Sequence, residues 1–158
     1  MTSIARLRAT SERETMALAG AVARVAKTGD VIALSGDLGA GKTTFARGFI
    51  RALAGQDTEV PSPTFTLVQS YDTPRGPIWH FDLYRLTRAD ETLELGLEEA
   101  LVQGISLIEW PERLGGLLPQ QSLTISLQAA GTGRVVAIDG PAEWEQRLAA
   151  GLEPFERP

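Results

Sequence analysis

The sequence predicts an α/β domain whose sheet is parallel at its centre and antiparallel at its margins. Three observations predict it. Two short apolar runs, 31–35 and 105–109, read as strands buried on both faces. Helical stretches follow or flank each of them. Alternating segments joined by turn signals, at 65–83 and 123–138, read as antiparallel hairpins. A chain of 158 residues that is 43% hydrophobic can bury one core and has little room for a second.

Each element has a local cause. Ile4-Ala5-Arg6-Leu7-Arg8 alternates and fits either an edge strand or a simple packing segment. Ser11 to Glu14 reads as a capping box opening a helix over 12–27, with Leu18, Val22 and Val25 on its apolar face. Thr28-Gly29-Asp30 stops it. After the strand 31–35 comes a glycine-rich loop, then a helix over 42–54 closed by Gly55. Residues 56–64 are polar and broken by Pro61 and Pro63, so they form a loop. Strands at 65–71 and 78–83 pair across Asp72–Pro77, and two short helical pieces flank Gly96 within 89–102. Strands at 123–128 and 134–138 pair across Gly131-Thr132-Gly133. Pro141 opens a last helix to about residue 150, which leaves 1–150 as one domain and 151–158 as a loose tail.

Charge narrows the function. The formal net charge is −5, and thirteen arginines are scattered among twenty acidic residues. Tight binding to DNA or RNA by the lone chain calls for a basic patch, and none is visible. No apolar run nears the ~18 residues that span a bilayer, and the first residues lack a signal-peptide core, so a cytoplasmic protein with no membrane role is expected. With no cysteine and a single histidine, disulfide frameworks and His-rich zinc sites drop out. Lysine is scarce, occurring only as Lys27 and Lys42.

Lys42 stands in the segment Gly36-Asp37-Leu38-Gly39-Ala40-Gly41-Lys42-Thr43, which fits the phosphate-binding pattern G-x-x-x-x-G-K-[ST] at every position. The glycines let backbone N–H groups converge on phosphate oxygens. Lys42 offers a compact charge that arginine's planar fork cannot replace. Thr43 presents a hydroxyl to Mg²⁺, and the following helix adds its N-terminal dipole. Asp37, Leu38, Gly39, Ala40, Gly41, Lys42, Thr43 and Thr44 are the expected nucleotide-binding residues. Four fixed positions coincide by chance in roughly one chain in a few hundred, and here a buried strand precedes and a helix follows, as the motif requires.

Such a loop works with an acid at the end of a neighbouring strand. Glu109 ends the run 105–108 and fits that place; the alternative is an ordinary surface glutamate. Asp82 alternates with His80, opposite Trp79, Phe81 and Leu83; the pair faces either a site or solvent. His80 is a candidate base or a hydrogen-bonded structural residue. Thr64, in Pro61-Ser62-Pro63-Thr64, sits where switch proteins place a threonine that senses the γ-phosphate and metal, although a Ser/Pro turn explains it equally well. Trp110 packs near the nucleotide, meets a partner, or is core; the sequence leaves all three open. Arg47, Arg85 and Arg113 are candidates for a charge-stabilising arginine, none clearly placed.

The ordered set GDLGAGKTTFARGF, SPTF, HFDLYRL and IEWPERL, spanning about residues 11–128, resembles the TsaE (YjeE) family. The resemblance implies a P-loop NTPase three-layer sandwich and a Mg²⁺-dependent ATPase that serves formation of N6-threonylcarbamoyladenosine at position 37 of tRNA. It implies a TsaB–TsaD protein complex as partner, tRNA contact only through that complex, and an ATPase that is weak alone, stimulated by the pair, and resets it between turnovers. By the same resemblance Lys42 and Thr43 serve phosphate and magnesium, Thr64 senses the γ-phosphate or metal, Asp82 and Glu109 serve the metal and the attacking water, and Trp110 sits beside the site. The competing reading is a small-molecule kinase, which calls for an arginine-rich lid near 112–140. A GTP switch would need an Asn-Lys-x-Asp stretch, and no lysine is left to supply it.

Overall fold

The structure, a computed structural model, describes residues 2–158. Its frame is a seven-stranded sheet: β1 (Thr2–Ala9), β2 (Val31–Ser35), β3 (Val68–Tyr71), β4 (Ile78–Asp82), β5 (Ile105–Glu109), β6 (Leu123–Ala130) and β7 (Gly133–Gly140). The spatial order is β1-β7-β6-β2-β5-β4-β3. The four central strands β6, β2, β5 and β4 run parallel, while β1, β7 and β3 pair antiparallel at the margins. The parallel strands β2, β4 and β5 have five residues each and are largely buried, as strands with helices on both faces are.

The helices are α1 (Glu12–Val25), α2 (Lys42–Ala54), α3 (Glu91–Glu94), α4 (Leu97–Gln103) and α5 (Ala142–Leu152), with a 3₁₀ segment at Pro111–Leu117. One core lies between the sheet and α1, α2 and α5, built on Leu18, Phe45, Phe49, Ile32 and Leu148. A smaller core lies on the opposite face, where Phe81, Leu97, Ala100, Ile108 and Leu114 pack. Each large buried apolar side chain contributes roughly 1.5–3 kcal/mol. The result is the three-layer sandwich with the mixed sheet that the sequence implies. No described helix is long and apolar enough to cross a membrane.

Three elements depart from expectation. The capping box is shifted: Ser11 Oγ accepts from the Glu14 N–H at 3.2 Å, but Glu14 accepts in turn from Thr10 N–H at 2.8 Å, not from Ser11. Phe65–Leu67 do not extend β3. Leu67 has φ 70°, and its N–H bonds back to the Pro63 carbonyl, so the chain turns before the strand begins. The segment expected to be a loose tail makes contacts. Gly151 and Leu152 belong to α5, Leu152 is buried, Phe155 packs on the main core, and the Glu156 carbonyl accepts from Arg8 N–H at 2.8 Å. Two apolar side chains and a bridge to β1 hold this segment.

The far end of the sheet is closed by arginines from distant segments. Arg75 donates to the Ala23, Arg24 and Ala26 carbonyls, and Arg147 to the Val25 carbonyl. These carbonyls lie in the last turn and cap of α1, where intrahelical donors run out, and α1 ends at Val25 rather than residue 27.

α1 and α2 cross closely at Gly48. A Cβ built there would lie 2.6 Å from Met16 Cα and 2.7 Å from its carbonyl oxygen. Backbone cannot yield as a side chain tip can, so Gly48→Ala must push the helices apart. Overpacking of this kind costs ~1–3 kcal/mol. A thermal melt of Gly48→Ala should show Tm lowered by several degrees, and an unchanged Tm would mean that the helices separate freely.

Candidate active site at the carboxyl ends of the parallel strands

β2 ends at Ser35, and the chain then turns through Gly36–Gly41 into α2. Gly41 occupies the N-cap position with φ 109°, a left-handed conformation that costs other residues energy. No side chain caps α2, so its first-turn N–H groups are free for an external acceptor. A helix start with unpartnered amides and a positive dipole end favours an anion.

The loop is held from outside by Arg134 of β7. Its Nε donates to the Ala40 carbonyl at 2.7 Å, and its two terminal nitrogens donate to Gly39 and Gly133 carbonyls at 3.0 and 2.8 Å. This clamp joins the loop to the β6–β7 hairpin across more than ninety residues of sequence, so the sequence reading did not find it.

Lys42 is buried, and its Nζ donates to the Gly36 and Asp37 carbonyls, the latter at 2.8 Å. The ammonium also lies 4.2 Å from the centre of the Trp110 ring, a cation–π contact. Burial lowers the Lys42 pKa below the ordinary lysine value; the carboxylates of Glu109, Asp82, Glu112 and Asp37 oppose that shift. Trp110 reaches this place from a left-handed conformation, φ 60°, immediately after β5. A bulky residue there carries strain of order 1–2 kcal/mol, and Tyr84 packs on its ring at 4.9 Å.

β4 and β5 supply the acids. Asp82 and Glu109 face each other directly in the parallel register, and both are buried. Thr43, on the first turn of α2, donates to Glu109 at 3.0 Å to Oε1 and 3.2 Å to Oε2. His80 Nε2 is 2.6 Å from Glu109 Oε2. Thr64 donates to Asp82 Oδ2 at 2.9 Å, Ser62 lies 2.8 Å from the Thr64 hydroxyl, and Tyr84 N–H donates to Asp82 Oδ1. The His80–Asp82 face is therefore buried, not solvated: it runs from the apolar core at Ile78 to the cleft at Asp82.

The cleft has a volume of ≈ 500 Å³, within the range of small-molecule sites. Leu38, Gly39, Gly41, Lys42, Thr43, Thr44, Thr64, Asp82, Glu109 and Trp110 line it, all expected from the sequence. Three other expected residues do not line it. Asp37 gives its carbonyl to Lys42, Ala40 is buried with its carbonyl on Arg134, and His80 reaches the cleft only through Glu109. Ser11, Glu12 and Thr15 from α1's start, and Thr132–Arg134 from the β6–β7 turn, form a wall that the sequence reading missed. Their only local signal was a helix cap and a hairpin turn, each sufficient to explain those residues without a site. Arg47, Arg85 and Arg113 do not line the cleft; Arg85 lies over the Phe65 ring.

The fold and this loop define a protein of the P-loop NTPase-like α/β class. The family model for "Threonylcarbamoyl adenosine biosynthesis protein TsaE" matches residues 9–136. A protein of Rickettsia bellii named tRNA threonylcarbamoyladenosine biosynthesis protein TsaE is 47% identical over 118 residues, covering 75% of this chain and 82% of that one. A protein of Bacillus subtilis with the same name is 45% identical over 125 residues, covering 78% and 77%. The crystal structure of Bacillus subtilis YdiB superposes with TM-score 0.79 at 35% identity, covering 98% of this chain and 97% of that one. The chain belongs to the TsaE family of tRNA threonylcarbamoyladenosine biosynthesis proteins.

Arg134→Ala should loosen the loop without unfolding the sheet. Losing the clamp's hydrogen bonds, at about 1 kcal/mol each, should speed amide exchange at 38–41 by about tenfold or more. Hydrogen-exchange mass spectrometry checks this, with the exchange of β2 and β5 expected to stay slow.

Proposed function

We propose that the chain is a Mg²⁺-dependent ATPase of the cytoplasm that supports threonylcarbamoyl modification of tRNA adenosine. In this reading it is weak alone, is stimulated by a TsaB–TsaD complex, and resets that complex between turnovers. The carrying observation is the meeting of the uncapped α2 start with buried Glu109 and Asp82 through Thr43 and Thr64. Family membership supports the pathway, and the residues support the chemistry.

The donor set suits the proposed cation. Hydroxyl and carboxylate oxygens are the ligands magnesium prefers. Among the described residues no group of three or more His, Cys, Asp or Glu side chains is arranged to hold a metal ion. That agrees with an ion that keeps waters and takes phosphate oxygens alongside one or two protein groups. Bound there, Mg²⁺ would neutralise charge on the phosphates. Thr43 and Glu109 would hold it, with Thr64 nearby. The α2 amides and Lys42 would bind the phosphates, with Lys42 exchanging its loop carbonyls for phosphate oxygens. Glu109 or Asp82 would accept a hydrogen bond from the attacking water.

Weak intrinsic turnover follows from the arginines. Among the described residues the one arginine lining the cleft is Arg134, and its side-chain nitrogens are all engaged with backbone carbonyls. A free arginine at such a site is worth about 10³–10⁵ in rate. A partner that supplied the missing charge would raise turnover strongly. The kinase alternative finds no arginine-rich lid in 112–140, where Arg113 is exposed and Arg134 is engaged with backbone carbonyls.

Hydrolysis of ATP by the pure chain, with and without TsaB–TsaD, tests the proposal. Low activity that rises strongly with the pair is expected, and Glu109→Ala should reduce turnover more than ATP affinity. Vigorous hydrolysis indifferent to the pair would overturn the partner-dependent reading.

Lys42 also gives a pH dependence. Its free-state pKa is lowered by burial, and a bound phosphate would raise it again. Binding therefore takes up a proton above the free-state pKa, so ADP affinity should fall as pH rises, starting below the ordinary lysine range. Calorimetry across pH 7–10 checks this, and the slope should vanish in Lys42→Ala.

A further inference from the structure

We propose that His80 is a positioning residue that separates the paired carboxylates and aims Glu109 at Thr43. The inference rests on the reading of Glu109 as a group serving the metal.

The parallel register sets Asp82 directly across from Glu109. Like charges directly opposite on neighbouring strands repel. The structure resolves this by sending the two carboxylates to different partners. Asp82 takes Thr64 and the Tyr84 amide, while Glu109 reaches back along the sheet to His80, whose own register partner is Leu107.

A carboxylate only accepts, so His80 Nε2 carries the hydrogen in this contact. The ring is fully buried, and its Nδ1 has no partner. On its face it continues a row with Ile78, beside Ile105 and Leu107, all fully buried. An apolar side chain would satisfy such a place without leaving a nitrogen unpaired, which costs stability. The ring's one polar contact is with Glu109, and that contact is its chemical contribution. With Thr43 donating to both oxygens and His80 to one, Glu109 is held from two sides. His80 does not line the cleft, so it acts through Glu109. Groups that orient metal-binding carboxylates commonly change metal affinity by about 10–100-fold when removed.

The test measures ADP binding calorimetrically in EDTA and across a Mg²⁺ titration, with melting temperatures alongside. His80→Leu should leave ADP affinity in EDTA within about twofold, because the phosphate loop is intact. It should raise the Mg²⁺ concentration for half-maximal effect by about tenfold. His80→Gln, whose amide can reach Glu109, should restore most of that loss, whereas His80→Asn falls short of Glu109 and should not. An unchanged Mg²⁺ requirement in His80→Leu overturns the proposal, as does equal behaviour of the Gln and Asn variants. That second comparison decides the matter if His80→Leu fails to fold. Glu109→Gln separates the two levels. If it leaves the Mg²⁺ requirement unchanged, the reading of Glu109 itself fails; if it raises the requirement while His80→Leu does not, only the role of His80 fails.

Discussion

The hydrogen bond from Thr43 to Glu109 joins helix to sheet, and the site depends on it. Thr43 belongs to the first turn of α2, which must remain uncapped to keep its amides free. Glu109 ends the central strand β5, which must be buried on both faces to be rigid. Neither arrangement is stable by itself: an uncapped helix start leaves donors unsatisfied, and a buried carboxylate calls for partners. Brought together, the Thr43 hydroxyl partners the buried carboxylate, while the α2 amides stay open to an external acceptor. To these is added Lys42, whose charge offsets the two acids while its own burial works against it.

Polarity is graded along the sheet. On the face toward α2, β4 runs Ile78, His80, Asp82, and β5 runs Ile105, Leu107, Glu109. The apolar ends anchor the core, and the acidic ends meet the cleft. At the opposite end of β2, Arg147 and Asp30 form a pair that is largely buried. The same arginine stacks on the Trp144 ring at 3.7 Å and helps close α1. Charge at that end is neutralised within the scaffold, whereas charge at the cleft end is arranged around a space.

Much of this was legible because its causes are local. The strand 31–35 and the helix 42–54 are fixed by an apolar run, a glycine loop and a closing Gly55. The motif that names Lys42 and Thr43 is likewise contiguous. What was not legible depends on distance. An alternating strand such as 78–82 looks the same whether its polar face meets water or a cleft, and only the packing of β5 and α2 decides that His80 and Asp82 are buried. Arg134 carries no local mark of its role, since its partners lie in a loop near the other end of the chain. Leu67 adopts a left-handed turn against its apolar, strand-like character because Pro63 and Asp82 fix its backbone. The last eight residues, rich in proline and charge, are held by Leu152 and Phe155, whose anchoring role appears only once β1 and the core are in place.

Lysine scarcity has a consequence for handling the molecule. Lys27 is exposed, with two thirds of its side chain accessible, and it lies just before β2, at the end of the sheet away from the cleft. Lys42 is enclosed beneath the Trp110 ring with its ammonium on backbone carbonyls. Of the two lysine side chains, an amine-reactive dye or a coupling resin therefore reaches Lys27 and not Lys42. Immobilised or labelled through that residue, the protein would present its phosphate loop outward, free of the linker.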